Sequence, residues 1–461
     1  MVFSSLLFVF RFLPITLILY YIAPQKAKNT VLFIASLVFY SWGEVRYFPI
    51  MLCTILVNYF CAVGIERSGS RKKAKIIFLI AAIVSLGFLF VFKYLDFIIE
   101  NLDLIPGINI PVLGLTLPLG ISFYTFQTLS YTIDVYRGKA PAEHNFIDMA
   151  AFVVLFPQLI AGPIVRYTDI HSELKSRRVD RDMLDRGTED FIIGLGKKVL
   201  IANNVGALWT LTEEKGFSNV STGLAWLALL AYSLQIYFDF SGYSQMAIGL
   251  GRLMGFNFPQ NFDYPYVSRS ATEFWRRWHI TLGSWFREYL YFPLGGSRCG
   301  KGRQIFNLFV VWACTGLWHG ANWNFLCWGL YFFVLLVIEK FYIKDFLQDH
   351  RVISHVYMAL VIMIGWGLFA VTDITALGAL FNRLFIPVHG GSGITGAGYY
   401  LRSYAVSLAA GLWFSLSPCG EIYKKISRCR PFRDILLMIV LVLSVAYLVD
   451  STYNPFLYFR F

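Results

Sequence analysis

The stretch ERSGSRKKAKIIFLIAAIVSLGFLFVFKYLDFI, residues 66–98, decides the fold. Its first part carries Arg67, Arg71, Lys72, Lys73 and Lys75, and an apolar run from 76 to 98 follows. As a helix, a run of that length crosses a hydrocarbon core of about 30 Å. Short loops rich in lysine and arginine stay on the cytoplasmic side, so residues 66–75 are expected there. The next loop, 100–113, has no basic residue and is expected outside, which places the amino terminus outside as well.

The same reading extends along the chain. Apolar runs recur near 3–23, 31–48, 49–65, 115–135, 149–165, 191–210, 222–250, 305–338, 356–381, 401–417 and 434–450. Of the 461 residues, 57% are hydrophobic and 15% charged, whereas a soluble domain carries about 25% charged residues. The expectation is an all-α polytopic membrane protein with roughly 11 or 12 transmembrane and re-entrant segments. Residues 1–461 should form a single membrane-embedded domain, with lipid as its solvent. The first run holds Arg11 and Pro14 and lacks a small-residue cleavage site, so it reads as a retained helix. A second cytoplasmic anchor, Lys424, Lys425, Arg428, Arg430 and Arg433, precedes a last span that sends the carboxyl terminus outside.

The net charge of +12 gathers in these short loops. Positive-inside bias therefore explains it, and no nucleic-acid partner is implied. The seven cysteines show no metal-site spacing, so structural thiols are expected, with no disulfide and no metal. Residues 149–165 lie between two basic stretches and contain Pro157, Gly162 and Pro163. A kinked segment that returns to its own side reconciles those charges, and irregular backbone at membrane depth implies a protein-lined or watery cavity.

His319 stands in GLWHGANWNFLCWG, residues 316–329. An ionisable side chain in such surroundings either bonds a neighbouring helix or works. Gly316, Gly320 and Ala321 leave little bulk for a substrate to pass, and Asn322 and Asn324 offer partners for the ring. Burial keeps an imidazole neutral, as a general base for an alcohol requires. His279 lies in FWRRWHITLGSWF, residues 274–286, an amphipathic stretch with Trp275, Trp278 and Trp285 that suits a membrane interface. On helical spacing His279 and Trp275 share a face. Asp239 is a lone carboxylate in an apolar run, and pairing with a lysine or arginine from another segment is its expected state. Residues 295–301, GGSRCGK, miss the phosphate-loop pattern because Gly302 stands where Ser or Thr is needed. Arg298, Lys301 and Arg303 there, with Arg276 and Arg277, remain candidates for attracting a phosphate-bearing donor.

Several blocks resemble the membrane-bound O-acyltransferases, in the branch containing alginate O-acetyltransferase and the teichoic acid D-alanyl transfer protein. They are MVFSSLLFVFRFLP (1–14), FIASLVFYSWGE (33–44), GISFYTFQTLSYTIDVYRG (120–138), LFPQLIAGPIVRY (155–167), YFDFSGYSQMAIGLG (237–251), NFDYPY (261–266), FWRRWHITLGSWFREYLYFPLGG (274–296) and GLWHGANWNF (316–325). The ending NPFLYFRF, 454–461, looks more like the alginate-type branch. The resemblance implies a ring of tilted helices around a central funnel, in a bacterial cell (inner) membrane. His319 matches the family's invariant histidine, and His279 matches its second conserved polar position. Thr281, Gly283 and Glu288 depart mildly from the usual pattern, which bears on acceptor preference. The function it implies is O-acetylation of an exported polysaccharide. The acetyl group would come from acetyl-CoA as donor substrate, with no bound cofactor, and an extracytoplasmic partner would complete delivery. Transfer of an acyl or D-alanyl group from an acyl carrier protein, and a transporter with a proton relay through His319 and Asp239, stand as the alternatives.

Overall fold

The computed structural model describes residues 2–391 and 393–450. The NPFLYFRF stretch and the carboxyl terminus expected outside lie beyond those described residues. Lipid offers backbone N–H and C=O groups no partner, so a spanning segment must satisfy them within itself. Helices accordingly make up nearly all of the regular structure, and the described residues contain isolated bridges but no named strand. Among the described residues, seven helices are long and apolar enough to cross a membrane: Phe48–Arg67, Arg71–Leu102, Arg181–Lys215, Thr222–Leu253, Trp323–Asp349, Arg351–Ala370 and Arg430–Asp450. The pair Gly398–Phe414 and Ser417–Ile426, bent by 82°, raises the number to eight if counted as one broken span.

The sequence yields more apolar runs than full-length spans for identifiable reasons. Phe8–Ile22, Lys28–Ser41 and Ile121–Tyr136 are too short to meet the same criterion, and the run at 305–338 is two helices. The run at 149–165 is broken, as its prolines suggested. Phe146–Val154 ends at Leu155, and a single turn, Phe156–Leu159, follows. The freed amide of Phe156 donates to the Ser36 hydroxyl at 3.0 Å. At Gly162 a Cβ would come within 2.5 Å of the Gln158 Cα, so the turn closes only around glycine.

The described chain divides into two compact units. One comprises the residues up to Phe191 together with Ser244–Pro259. The stretch expected on the cytoplasmic side is tied down by charge: Lys175 Nζ bridges Glu143 at 2.6 Å and Asp148 at 2.9 Å. Asp148 also accepts from the Asn29 amide at 2.7 Å, and the Asn29 oxygen accepts from Arg177 Nη1 at 2.7 Å. The second unit comprises Ile192–Tyr243 and the described residues from Gln260 onward, and it holds both candidate histidines.

In the second unit Asp239 pairs with Lys198 at 2.5 Å, and both side chains are only 3% exposed. This meets the expectation for a lone carboxylate in an apolar run. Close approach allows it: a Cβ at Gly242 would meet the Gly194 carbonyl oxygen at 2.7 Å. Removing one partner strands a buried charge, which costs about 3–5 kcal/mol, whereas apolar replacement of both is often neutral. Asp239→Ala should therefore lower the detergent melting temperature sharply, and the Lys198→Met, Asp239→Leu double variant should restore most of it. An Asp239→Ala protein that melts like the wild type would refute this.

Candidate active site

His319 occupies the tip of a helical hairpin. The Lys301–His319 helix stops where Gly320 turns extended (φ −177°), and Trp323–Ile338 starts after the Asn322 side chain caps the Asn324 amide at 3.3 Å. The hairpin is held by glycine contacts. A Cβ at Gly316 would stand 2.5 Å from the Phe325 carbonyl oxygen, and one at Gly329 would stand 2.4 Å from that of Trp312. These glycines therefore let two backbones touch. Gly316, expected to leave room for a substrate, is thus filled by the facing backbone, and the space beside Gly320 is filled by the Phe325 ring. Nor do the two asparagines steer the imidazole. Asn322 caps its own helix, and the Asn324 amide nitrogen donates to the carbonyls of Leu368 and Phe369 at 3.2 and 3.0 Å. What surrounds the ring is aromatic: Trp318, Trp328 and Phe369 meet it edge to face at 5.0–5.2 Å. His319 is 7% exposed.

His279 reaches the same aromatic cluster from another element. Its stretch is not one amphipathic helix, because Ala271–Arg277 ends before Trp278 and Ile280–Phe286 begins after His279. The break annuls the helical-face relation expected between Trp275 and His279. It also takes the tryptophans away from the lipid interface. Trp278 and Trp285 are buried, and Trp275 packs on Trp312 and Phe332, each at 4.9 Å. His279 packs on Phe240 at 4.7 Å and lies 6.0 Å from the Trp318 ring, which also contacts His319. The two imidazoles are thus neighbours of one indole.

Two residues that contact this region escaped the sequence reading. Asn261 Oδ1 lies within hydrogen-bond distance of His279 Nδ1, at 3.1 Å. Glu339, 2% exposed, accepts from the Ala271 and Thr272 amides at 2.6 and 3.0 Å. Its carboxylate caps the short helix that leads to His279, where negative charge complements the free N–H groups. A lone glutamate at the end of an apolar run was the signal available for it.

The basic candidates separate. Arg277 is engaged by Asp263 and Glu273, each at 3.1 Å, which withdraws it from anion binding. Arg276, Arg298, Lys301 and Arg303 are exposed. Lys301 and His319 stand at opposite ends of a 19-residue helix. At a rise of 1.5 Å per residue they are about 27 Å apart. Arg298, Lys301 and Arg303 therefore cannot touch an atom that reacts at His319.

The sequence pattern of MBOAT, the membrane-bound O-acyltransferase family, matches residues 121–372, a stretch that includes both histidines. The chain belongs to this family. It is a multi-pass membrane acyltransferase and so acts with an acyl donor. Among relatives of the family, the probable alginate O-acetylase AlgI of Pseudomonas syringae pv. tomato is 43% identical over 84% of this chain and 75% of its own. The peptidoglycan O-acetyltransferase of Helicobacter pylori is 37% identical over 74% and 71%. A teichoic acid D-alanyltransferase of Bacillus subtilis is more distant, at 29% over 49% and 60%.

His279 lies outside the spanning helices, and burial pushes its imidazole down to about 3 from the usual 6.5. Below about pH 6.5 an unfolded chain takes up a proton that the folded site refuses. Stability is thus fully present above that pH and is lost as the pH falls towards 3, by at most about 1.4 kcal/mol per unit. Asparagine tolerates the left-handed backbone found at His279 and does not titrate. His279→Asn should accordingly lose less melting temperature than the wild type between about pH 7 and about pH 5. Equal losses in the two proteins would contradict the buried neutral ring.

Proposed function

We propose that this acyltransferase O-acetylates an exported, alginate-like or other cell-surface polysaccharide, taking acetyl from cytosolic acetyl-CoA and handing it on with an extracytoplasmic partner. The observation that carries the reading is the pair of buried imidazoles set against one indole, in a chain whose more similar relatives are named O-acetylases and O-acetyltransferases. His319 takes the proton from the acceptor hydroxyl as its oxygen attacks the acyl carbon. The oxygen–carbon bond forms and the carbon–sulfur bond breaks. The proton then passes to the departing sulfur, which leaves as a thiol. His279 assists from its place beside Trp318.

The hairpin supports a division of labour along its length. Its basic end, with Arg298, Lys301 and Arg303, attracts the phosphates of the donor at the cytoplasmic face. Its tip does the chemistry about 27 Å away, so only the long arm of the donor reaches His319. Coenzyme A is multiply charged and stays in the cytosol, while the acetyl group passes on through the ring of helices, with residues 1–461 acting as one domain. A D-alanyl or other acyl carrier protein as donor is disfavoured by the lower identity to the D-alanyltransferase. A proton-relay transporter is disfavoured because Lys198 engages Asp239.

Membranes supplied with labelled acetyl-CoA and candidate acceptors, with and without the extracytoplasmic partner, test the reading. At equal expression His319→Ala should lose about 10²-fold or more in turnover. Replacing Arg298, Lys301 and Arg303 together by glutamine should raise the donor KM, remove its salt dependence and leave kcat nearly unchanged. Near-normal turnover by His319→Ala would end the general-base role. A salt-independent KM, unmoved by the triple change, would leave the basic end with topology as its only task.

A further inference from the structure

We infer that Asn261 is a positioning residue for His279, holding its ring in the tautomer with the proton on Nδ1 so that bare Nε2 is presented to the reaction. The inference rests on the proposed role of His279 and adds the residue that sets its orientation.

The geometry fixes the roles of the atoms. Asn261 is 1% exposed, and its Oδ1 position is met by three groups: His279 Nδ1 at 3.1 Å, Thr281 Oγ1 at 2.9 Å and the Thr281 backbone nitrogen at 3.2 Å. A backbone N–H only donates. The Asn261 atom facing it must therefore be the oxygen, which removes the usual ambiguity of an amide flip. An amide oxygen only accepts, so His279 Nδ1 carries a proton. In a neutral imidazole the other nitrogen, Nε2, then keeps its lone pair. Nε2 is buried and has no hydrogen-bond partner among the described residues. An acceptor left in that state is held for something the chain itself does not supply.

The backbone enforces the arrangement. Phe262 and Trp278 form an isolated antiparallel bridge, the Ile280 amide donates to the Asn261 carbonyl at 3.0 Å, and the Asp263 amide donates to that of Arg277 at 3.0 Å. Among the described residues, the non-glycine residues with positive φ are Tyr264 (φ 43°) and His279 (φ 45°), and they lie on either side of this bridge. Backbone strain of that kind persists only where its surroundings over-determine it. Here two short segments are clamped together by main chain and side chain, and the product of the clamp is the aim of one imidazole.

Nitrogen-15 spectra of histidine-labelled protein, with His279 assigned by difference against His279→Ala, read the tautomer directly. The wild type should show a protonated Nδ1 and a bare Nε2 at neutral pH. Asn261→Asp, which keeps an oxygen acceptor, should retain that signature, and Asn261→Leu should lose it. In acyl transfer, Asn261→Leu should lower kcat by about 10-fold or more with the donor KM within about twofold. In the His279→Ala background it should add less than about twofold. A wild-type ring protonated at Nε2, or an undiminished Asn261→Leu effect without His279, would overturn the inference. Full turnover by His319→Ala would instead sink the proposed mechanism and leave the tautomer spectrum untouched, so the two failures are distinguishable.

Discussion

A backbone or side-chain polar group carried into lipid without a partner costs several kcal/mol, and three features of the described chain answer that cost. Where Pro157 stops a helix, the freed amide of Phe156 finds the Ser36 hydroxyl. Where Ala271–Arg277 begins without a preceding turn, the Glu339 carboxylate receives its first amides. Where Thr222–Leu253 carries Asp239, Lys198 lies against it. Breaks of this kind are what bring two histidines from separate elements to one tryptophan.

The same constraint defines the chemistry open to the site. An imidazole kept from water stays neutral and can accept a proton. Trp318, Trp328 and Phe369 wall His319 with aromatic rings that meet it edge to face, and little of the imidazole is open to solvent. His279 is steered by a hydrogen bond through Asn261, and His319 stands at the end of its helix. Two rings held by different means can serve different purposes, one in taking the proton and the other in orienting what gives it. The exposed lysine and arginines at the basic end are a full helix away from the tip.

Much of this was legible in the residues. Long apolar runs and basic loops disclose a polytopic membrane protein, because lipid imposes length and composition on any span. His319 is visible as an ionisable side chain among aromatics, and Asp239 as a carboxylate in need of a cation. The surroundings of the histidines were not legible. Gly316 and Gly320 look like open space in a sequence, but one is where two backbones touch and the other is covered by the Phe325 ring. Trp275 and His279 look like one helical face, but the helix ends at Arg277 and His279 is itself left-handed, which local periodicity does not reveal. Asn261 lies 18 residues before its imidazole partner, and no spacing rule joins a loop asparagine to a histidine across a single bridge. Glu339 is likewise far from the helix it caps. Contacts of that range belong to tertiary structure alone.

The central claim is that the acyl group passes from a charged donor on one face to a hydroxyl on the other, with His319 as base. Sealed vesicles containing the protein in defined orientation, with labelled acetyl-CoA on the cytoplasmic side only and polysaccharide plus partner on the opposite side only, test it most directly. The account predicts label in the polysaccharide while coenzyme A accumulates on the donor side, and neither with His319→Ala. Acetylation only when donor and acceptor share one side, or equal transfer by His319→Ala, would contradict it.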